Sequence, residues 1–187
     1  MLKRIFDFIL ALVLIVLFSI PMFAIALMIK LTSKGPVIFW TDRVGLNNRI
    51  FKMAKFRTMK LNTPQVATHL MSNPQDYLVP CGGFLRRYSL DELPQLFNVL
   101  NGQMSFVGPR PALFNQDDLV ELRTKKNIHT LIPGVTGWAQ VNGRDDLPIP
   151  VKVTFDEYYL NSRCLVFDLY IIILTVLKVA RREGVKH

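Results

Sequence analysis

Cysteine is scarce in this chain: Cys81 and Cys164 stand alone, outside any CxxC or metal-ligand spacing. A disulfide framework is thereby excluded, in agreement with a reducing compartment. Histidine is little better represented. His69, His129 and His187 are scattered, so a zinc site is not expected. Negative charge is in deficit too, with 14 Asp and Glu against 23 Lys and Arg and a net charge of +9. That surplus suits anionic lipid headgroups or polyphosphate substrates. Nucleic acid would also suit it, but zinc-finger spacing, a basic heptad region and RNP-like aromatic motifs are all missing, so no nucleic-acid partner is expected. Internal repeats and low-complexity tracts are absent as well. With 187 residues the chain has room for one domain with a core plus a membrane element, and hardly for two independent domains.

What the chain does have is apolar residues, 50% of the total, with a mean hydropathy of +0.26. They concentrate in residues 5–29 and 164–180. Residues 8–29 form a run with nothing more polar than Ser19, long enough to span a bilayer. A cleaved signal peptide is one reading, from Lys3-Arg4 and Ala24-Ile25-Ala26, but the run is too long and continues past that site. A simple transmembrane anchor is the second. The third is a helix that enters the membrane, bends and returns to the same face. Pro21 removes the donor for the Leu17 carbonyl, and Ser19 can bond back to a carbonyl of the preceding turn; both favour a kink. Lys3 and Arg4 precede the run while Lys30 and Lys34 follow it. Cations on both flanks favour the re-entrant form, because a through-going helix shows an excess on one side.

Beyond the Thr32-Ser33-Lys34-Gly35-Pro36 breaker, residues 37–41 and 49–57 read as two strands about a Gly45-Leu46-Asn47-Asn48 turn. Residues 61–83 read as a long loop. Helices are expected at 84–88, about 91–101, 115–126 and 150–162, with a shaped glycine-rich loop over 131–142. Residues 165–182, apolar but ending in Lys178, Arg181 and Arg182, read as an interfacial helix in preference to a core helix.

Chemistry is concentrated in Ser89-Leu90-Asp91-Glu92-Leu93-Pro94-Gln95-Leu96. The spacing of Ser89 and Glu92 fits a capping box, a purely structural explanation. Pro94 argues for a helix that starts nearer Asp91, where proline is tolerated in the first turn. Either way both carboxylates meet the positive end of a helix. Helical neighbours diverge by about 100°, so distinct roles for the two follow more naturally than a bidentate clamp. Arg86 precedes the pair. Arg110 is fixed between Pro109 and Pro111, which suits a guanidinium held ready for phosphate. Lys55 and Arg57 share a strand face by period two and are expected to meet one anion together. Arg144 is a further candidate. Trp138 either stacks on a base or sugar or packs in the core. An acidic pair among rigid cations, next to a lipid-facing segment, points to metal-assisted transfer of a phosphorylated group.

Lys3-Arg4-Ile5-Phe6-Asp7, Gly35-Pro36-Val37, Lys55-Phe56-Arg57-Thr58-Met59, Ser89 to Asn98, Met104 to Pro111 and Pro133 to Arg144 closely resemble the bacterial sugar transferase family, the monotopic phosphoglycosyl transferases, in order and over nearly the whole chain. The resemblance implies an α+β, mainly helical fold: a re-entrant N-terminal membrane helix over 1–31, then a catalytic domain over 32–187 with interfacial amphipathic helices and a small β-hairpin. It also implies residence on the cytoplasmic face of the bacterial inner membrane. The implied activity moves a sugar 1-phosphate from a UDP-sugar to undecaprenyl phosphate, releasing UMP and starting a surface glycan. By the same likeness Asp91 is the nucleophile, Glu92 its partner, and Mg²⁺ the cofactor, held near Asp91. Substrate phosphate would fall to Lys55, Arg57, Arg86, Arg110 and Arg144. Membrane lipid is an implied partner and a homodimer is left open. Where the family carries adjacent Ser-Pro at the membrane break, Ile20 here separates Ser19 from Pro21.

Overall fold

The computed structural model describes residues 2–61, 63, 74–143 and 147–181. The fold is α+β and mainly helical, as expected. The first helix, α1 (Leu2–Thr32), stays continuous through Pro21, and Ser19 Oγ donates to the Val16 carbonyl at 2.8 Å. That bond returns to the turn before the proline, as the sequence predicts, despite the intervening Ile20.

Two apolar stripes run along α1. Asp7, Ala11, Ile25 and Ile29 are buried on one side, with Leu10, Leu14, Ile15, Met22 and Ala26 partly covered beside them. On the other side Leu2, Ile5, Ile9, Leu12, Val16, Ile20, Phe23, Leu27 and Leu31 are exposed at spacings of three and four, the repeat of one helical face. Both ends of the helix grip the same body. Ala11 joins a core cluster with Met53, Leu96, Val99, Met104 and Phe106, whereas Ile25 and Ile29 join Phe56, Val79, Cys81 and Leu85.

The expected hairpin forms from β1 (Ile38–Val44) and β2 (Ile50–Phe56), antiparallel with Thr41 opposite Met53. Asn47 and Asn48 take positive φ in the connection, which asparagine tolerates. A third strand, β4 (Ala112–Leu113), pairs with the far end of β1. Elsewhere β3 (Ser105–Val107) and β5 (Gly134–Thr136) pair in parallel. Their backbones approach so closely that a Cβ on Gly134 would lie 2.1 Å from the Gly108 nitrogen, so only glycine fits.

The remaining helices are α2 (Gly82–Arg87), α3 (Gln95–Leu100), α4 (Asp117–Lys125), α5 (Trp138–Val141), α6 (Ile149–Ser162) and α7 (Leu165–Arg181). The loop expected over 131–142 therefore holds a strand and a short helix. The helix expected over 91–101 is divided: a 3-10 turn at Leu90–Glu92 comes first, and Pro94 caps α3. Ser89 is left-handed at φ 55° and makes no side-chain cap, which removes the capping box. α7 exposes Val166, Leu169, Tyr170, Ile173, Val176 and Leu177 while burying Asp168 and Ile171.

Candidate active site

The 3-10 turn at Leu90–Glu92 places Asp91 and Glu92 between β2, α2 and the loop that follows β3, all of which bring cations. Lys55, near the end of β2, sets its Nζ 2.6 Å from Glu92 Oε1 and 3.9 Å from Asp91 Oδ2. Arg110 reaches the same Glu92 oxygen at 3.2 Å. Glu92 is thus held by two cations, and Asp91 is left with the longer approach of Lys55. Distinct roles for the two carboxylates have a geometric basis here.

Their titration diverges accordingly. Burial pushes the Asp91 carboxyl above its usual 3.8; Lys55 opposes this most, the Glu92 charge adds to it, and Arg86 and Arg110 pull it back. Burial pushes Glu92 upward as well, but Lys55 and Arg110, each by charge and by hydrogen bond, hold it well below its usual 4.5. Glu92 is a fixed anion and Asp91 a desolvated one.

Lys55 and Arg110 are each held in place by residues behind them. On α3 the buried Asn98 accepts from the Ala54 amide at 3.1 Å and donates to the Lys52 carbonyl at 2.8 Å. Its amide copies a strand backbone and clamps α3 to the strand carrying Lys55. The Arg110 loop is fixed on both sides: Gly108 N donates to Thr136 O and Gly134 N to Pro109 O, each at 2.9 Å. Behind it, Arg123 of α4 donates to the Arg110 carbonyl at 2.8 Å and pairs with buried Asp156 of α6 at 2.6 Å.

Lys55, Arg110, Asp91 and Glu92 come together, and the Arg86 charge is felt at Asp91. Arg57 goes elsewhere: its guanidinium is buried against the Lys34 carbonyl at 2.5 Å and the Ser33 carbonyl and hydroxyl at 3.1 and 2.7 Å. Shared strand parity did not give Lys55 and Arg57 a shared partner, because the chain leaving α1 folds over Arg57. A Cβ on Gly35 would fall 2.3 Å from that guanidinium. Arg144 lies outside the described residues. Trp138 packs among Phe155, Tyr158, Phe167 and Tyr170, the second of its two readings.

Sequence reasoning missed Asn98, Arg123 and Asp156. A signal was present. Arg123 lies four residues after buried Leu119, and Asp156 three after buried Val153, so opposite charges occupy core positions on two helices.

Among the described residues there is no cluster of three or more His, Cys, Asp or Glu able to enclose a metal. Asp91, which Lys55 approaches only at 3.9 Å, fits Mg²⁺ of the kind held by one or two carboxylates plus substrate phosphate oxygens.

A family profile described as bacterial sugar transferase matches residues 1–182. The UDP-glucose:undecaprenyl-phosphate glucose-1-phosphate transferase of Escherichia coli K12 is 42% identical across 95% of this chain, which spans 40% of that protein's length. The undecaprenyl-phosphate galactose phosphotransferase of Salmonella typhimurium is 36% identical across 98% of the chain, again covering 41% of the longer protein. A relative of similar size, the uncharacterized sugar transferase EpsL of Bacillus subtilis, is 38% identical over the full chain and 91% of its own length. Matched from its first residue almost to its last, this chain belongs to the bacterial sugar transferase family.

Proposed function

We propose that this protein transfers a sugar 1-phosphate from a UDP-sugar to undecaprenyl phosphate at the cytoplasmic face of the bacterial inner membrane. The observation that carries the reading is the division of labour in the acidic pair, with Glu92 committed to Lys55 and Arg110 and the Asp91 carboxylate left available beside them.

The reaction proceeds in two in-line displacements. Arg86 and Arg110 hold the diphosphate while an Asp91 oxygen attacks the sugar-bearing phosphorus. The bond to the bridging oxygen breaks, UMP leaves with that electron pair, and an acyl phosphate joins Asp91 to the sugar phosphate. An oxyanion of undecaprenyl phosphate then attacks the same phosphorus, frees the Asp91 carboxylate and forms the polyprenyl diphosphate sugar. Mg²⁺, when bound near Asp91, neutralises the diphosphate. Two steps let one site serve two anions that would repel each other if bound together. Glu92 keeps Lys55 and Arg110 in position.

The membrane arrangement is re-entrant and monotopic. A straight 31-residue helix is about 46 Å long, against a hydrocarbon layer of about 30 Å. Yet its first and last turns both pack on one domain, which supports both ends lying on one side.

The test uses labelled UDP-sugar without acceptor. One equivalent of UMP and label on Asp91 are expected; a strictly ternary-complex kinetic pattern would reject the scheme. Free sugar phosphate, unaffected by added polyprenyl phosphate, would reveal a hydrolase instead.

A further inference from the structure

We infer that the first two turns of α1 are a bracket for the catalytic centre, in which Arg4 and Asp7 are positioning residues that set the dyad helix and the Arg110 strand at a fixed separation. The inference rests on the transferase reading above. Arg4 and Asp7 are three residues apart and so share one face of α1. Arg4 Nη1 donates to the Val99 carbonyl at 2.5 Å and Nη2 to the Leu100 carbonyl at 2.6 Å. These are the last carbonyls of α3, at its negative end; Val99 O also accepts from the Gly102 amide at 3.0 Å, and the guanidinium fork brings a charged donor to both. Gly102 leaves room for it, since a Cβ there would lie 3.2 Å from Nη2. Asp91 and Glu92 stand just before the opposite end of that short helix.

The second arm is Asp7. It is buried, and accepts from Ser105 Oγ at 2.8 Å and from the Phe106 amide at 3.2 Å. Those residues form β3, which runs directly into Gly108-Pro109-Arg110. The arms meet again where Arg110 touches Glu92 at 3.2 Å, so α1, α3, Glu92, Arg110 and β3 close a ring. A membrane anchor would need only positive charge at this end. It would need neither a buried carboxylate nor a fork on two carbonyls. Arg4 and Asp7 spend their polar groups on the enzyme, whereas neighbouring Lys3 goes to Asp168 of α7 at 2.7 Å.

Arg4→Lys separates the two roles, keeping the charge but losing the fork. UMP release should fall roughly tenfold in kcat with a smaller change in KM. Asp7→Ala should behave alike, and Asp7→Asn, which keeps an acceptor for the Phe106 amide, should recover most of the loss. Combined with Arg110→Ala, Arg4→Lys should add little, since both act through one contact. Lys30→Ala, at the exposed far end of α1, should match wild type. Hydrogen exchange gives a readout independent of turnover: uptake over 95–107 should rise in Arg4→Lys and Asp7→Ala while α4 and α6 stay unchanged. If Asp7→Ala does not accumulate, Ser105→Ala removes one of its two bonds and takes its place. Wild-type turnover in Arg4→Lys, or fully multiplicative losses in the double variant, would overturn the bracket. An unchanged exchange pattern would overturn it equally. A wild-type protein that releases no UMP would instead sink the transferase reading, leaving the exchange experiment to judge the bracket.

Discussion

Asp91 and Glu92 differ by one methylene and one position, yet the fold gives them opposite electrostatic fates. Lys55 and Arg110 spend their direct contacts on Glu92. Asp91 is left with the 3.9 Å approach of Lys55 and is desolvated by burial, which would strengthen it as the nucleophile of the proposed scheme. Asp91→Asn should therefore abolish both the labelled adduct and transfer. Glu92→Gln should lower single-turnover UMP release by roughly a hundredfold, because it loosens two cations at once. The pH dependence has a definite sign. In the proposed scheme Asp91 attacks only when ionised, and its carboxyl sits above the usual 3.8, so activity should fail on acidification earlier than for an ordinary carboxylate. Glu92, held below 4.5, stays charged over that range and does not set the limb. Lys55→Met removes the strongest stabiliser of ionised Asp91 and should move the acid limb of kcat/KM to higher pH. An unmoved limb would separate Lys55 from Asp91 ionisation.

Among the elements, α4 and α6 work at a distance through Arg123 and Asp156. Removing one partner of a buried pair leaves an uncompensated charge, and Asp156→Ala should cost about 3–5 kcal/mol in denaturant unfolding. Arg123→Met with Asp156→Leu should restore much of that stability. Activity should not return with it, because the Arg110 carbonyl still lacks its donor. Local pattern explains which elements the sequence disclosed. The β1–β2 hairpin has contiguous β-branched and aromatic residues around an Asn-Asn turn, and α4, α6 and α7 run for 9, 14 and 17 residues without glycine or proline beyond the first turn. The β3–β5 pair was hidden because each strand has three residues and the partner lies some thirty positions away, leaving no alternation to detect. Pro94 marked a boundary between Glu92 and Gln95, but position alone does not show that the turn before it is 3-10. In the site, the acidic pair, Lys55, Arg86 and Arg110 were legible from residue type and neighbours. Arg57 was misplaced because strand parity fixes the side of the sheet and not what the preceding chain lays over it. Asn98 was hidden by a role in which an amide stands in for backbone.

For the molecule as a whole, α1 and α7 present apolar outer faces and are tied together by Lys3 and Asp168, whose other oxygen accepts from Tyr159 at 2.6 Å. Two greasy faces joined by a partly buried polar link support the proposal of a body seated on one leaflet. Leu2→Cys and Lys34→Cys, each in a Cys164→Ser background, test this with an impermeant maleimide; Cys81 is buried and should stay silent. Both sites should react in inverted vesicles and neither in right-side-out ones. Reaction from opposite sides would make α1 a crossing helix.

Asp7 has its partner Ser105 98 positions downstream, while Lys3 waits 165 positions for Asp168. The apolar helix α1 is therefore made long before anything exists to neutralise its polar side. During translation it must wait unseated, with that carboxylate hydrated, until the strand that receives it has emerged. Assembly thus runs backwards along the chain: the body that follows α1 has to be finished before α1 can settle on it.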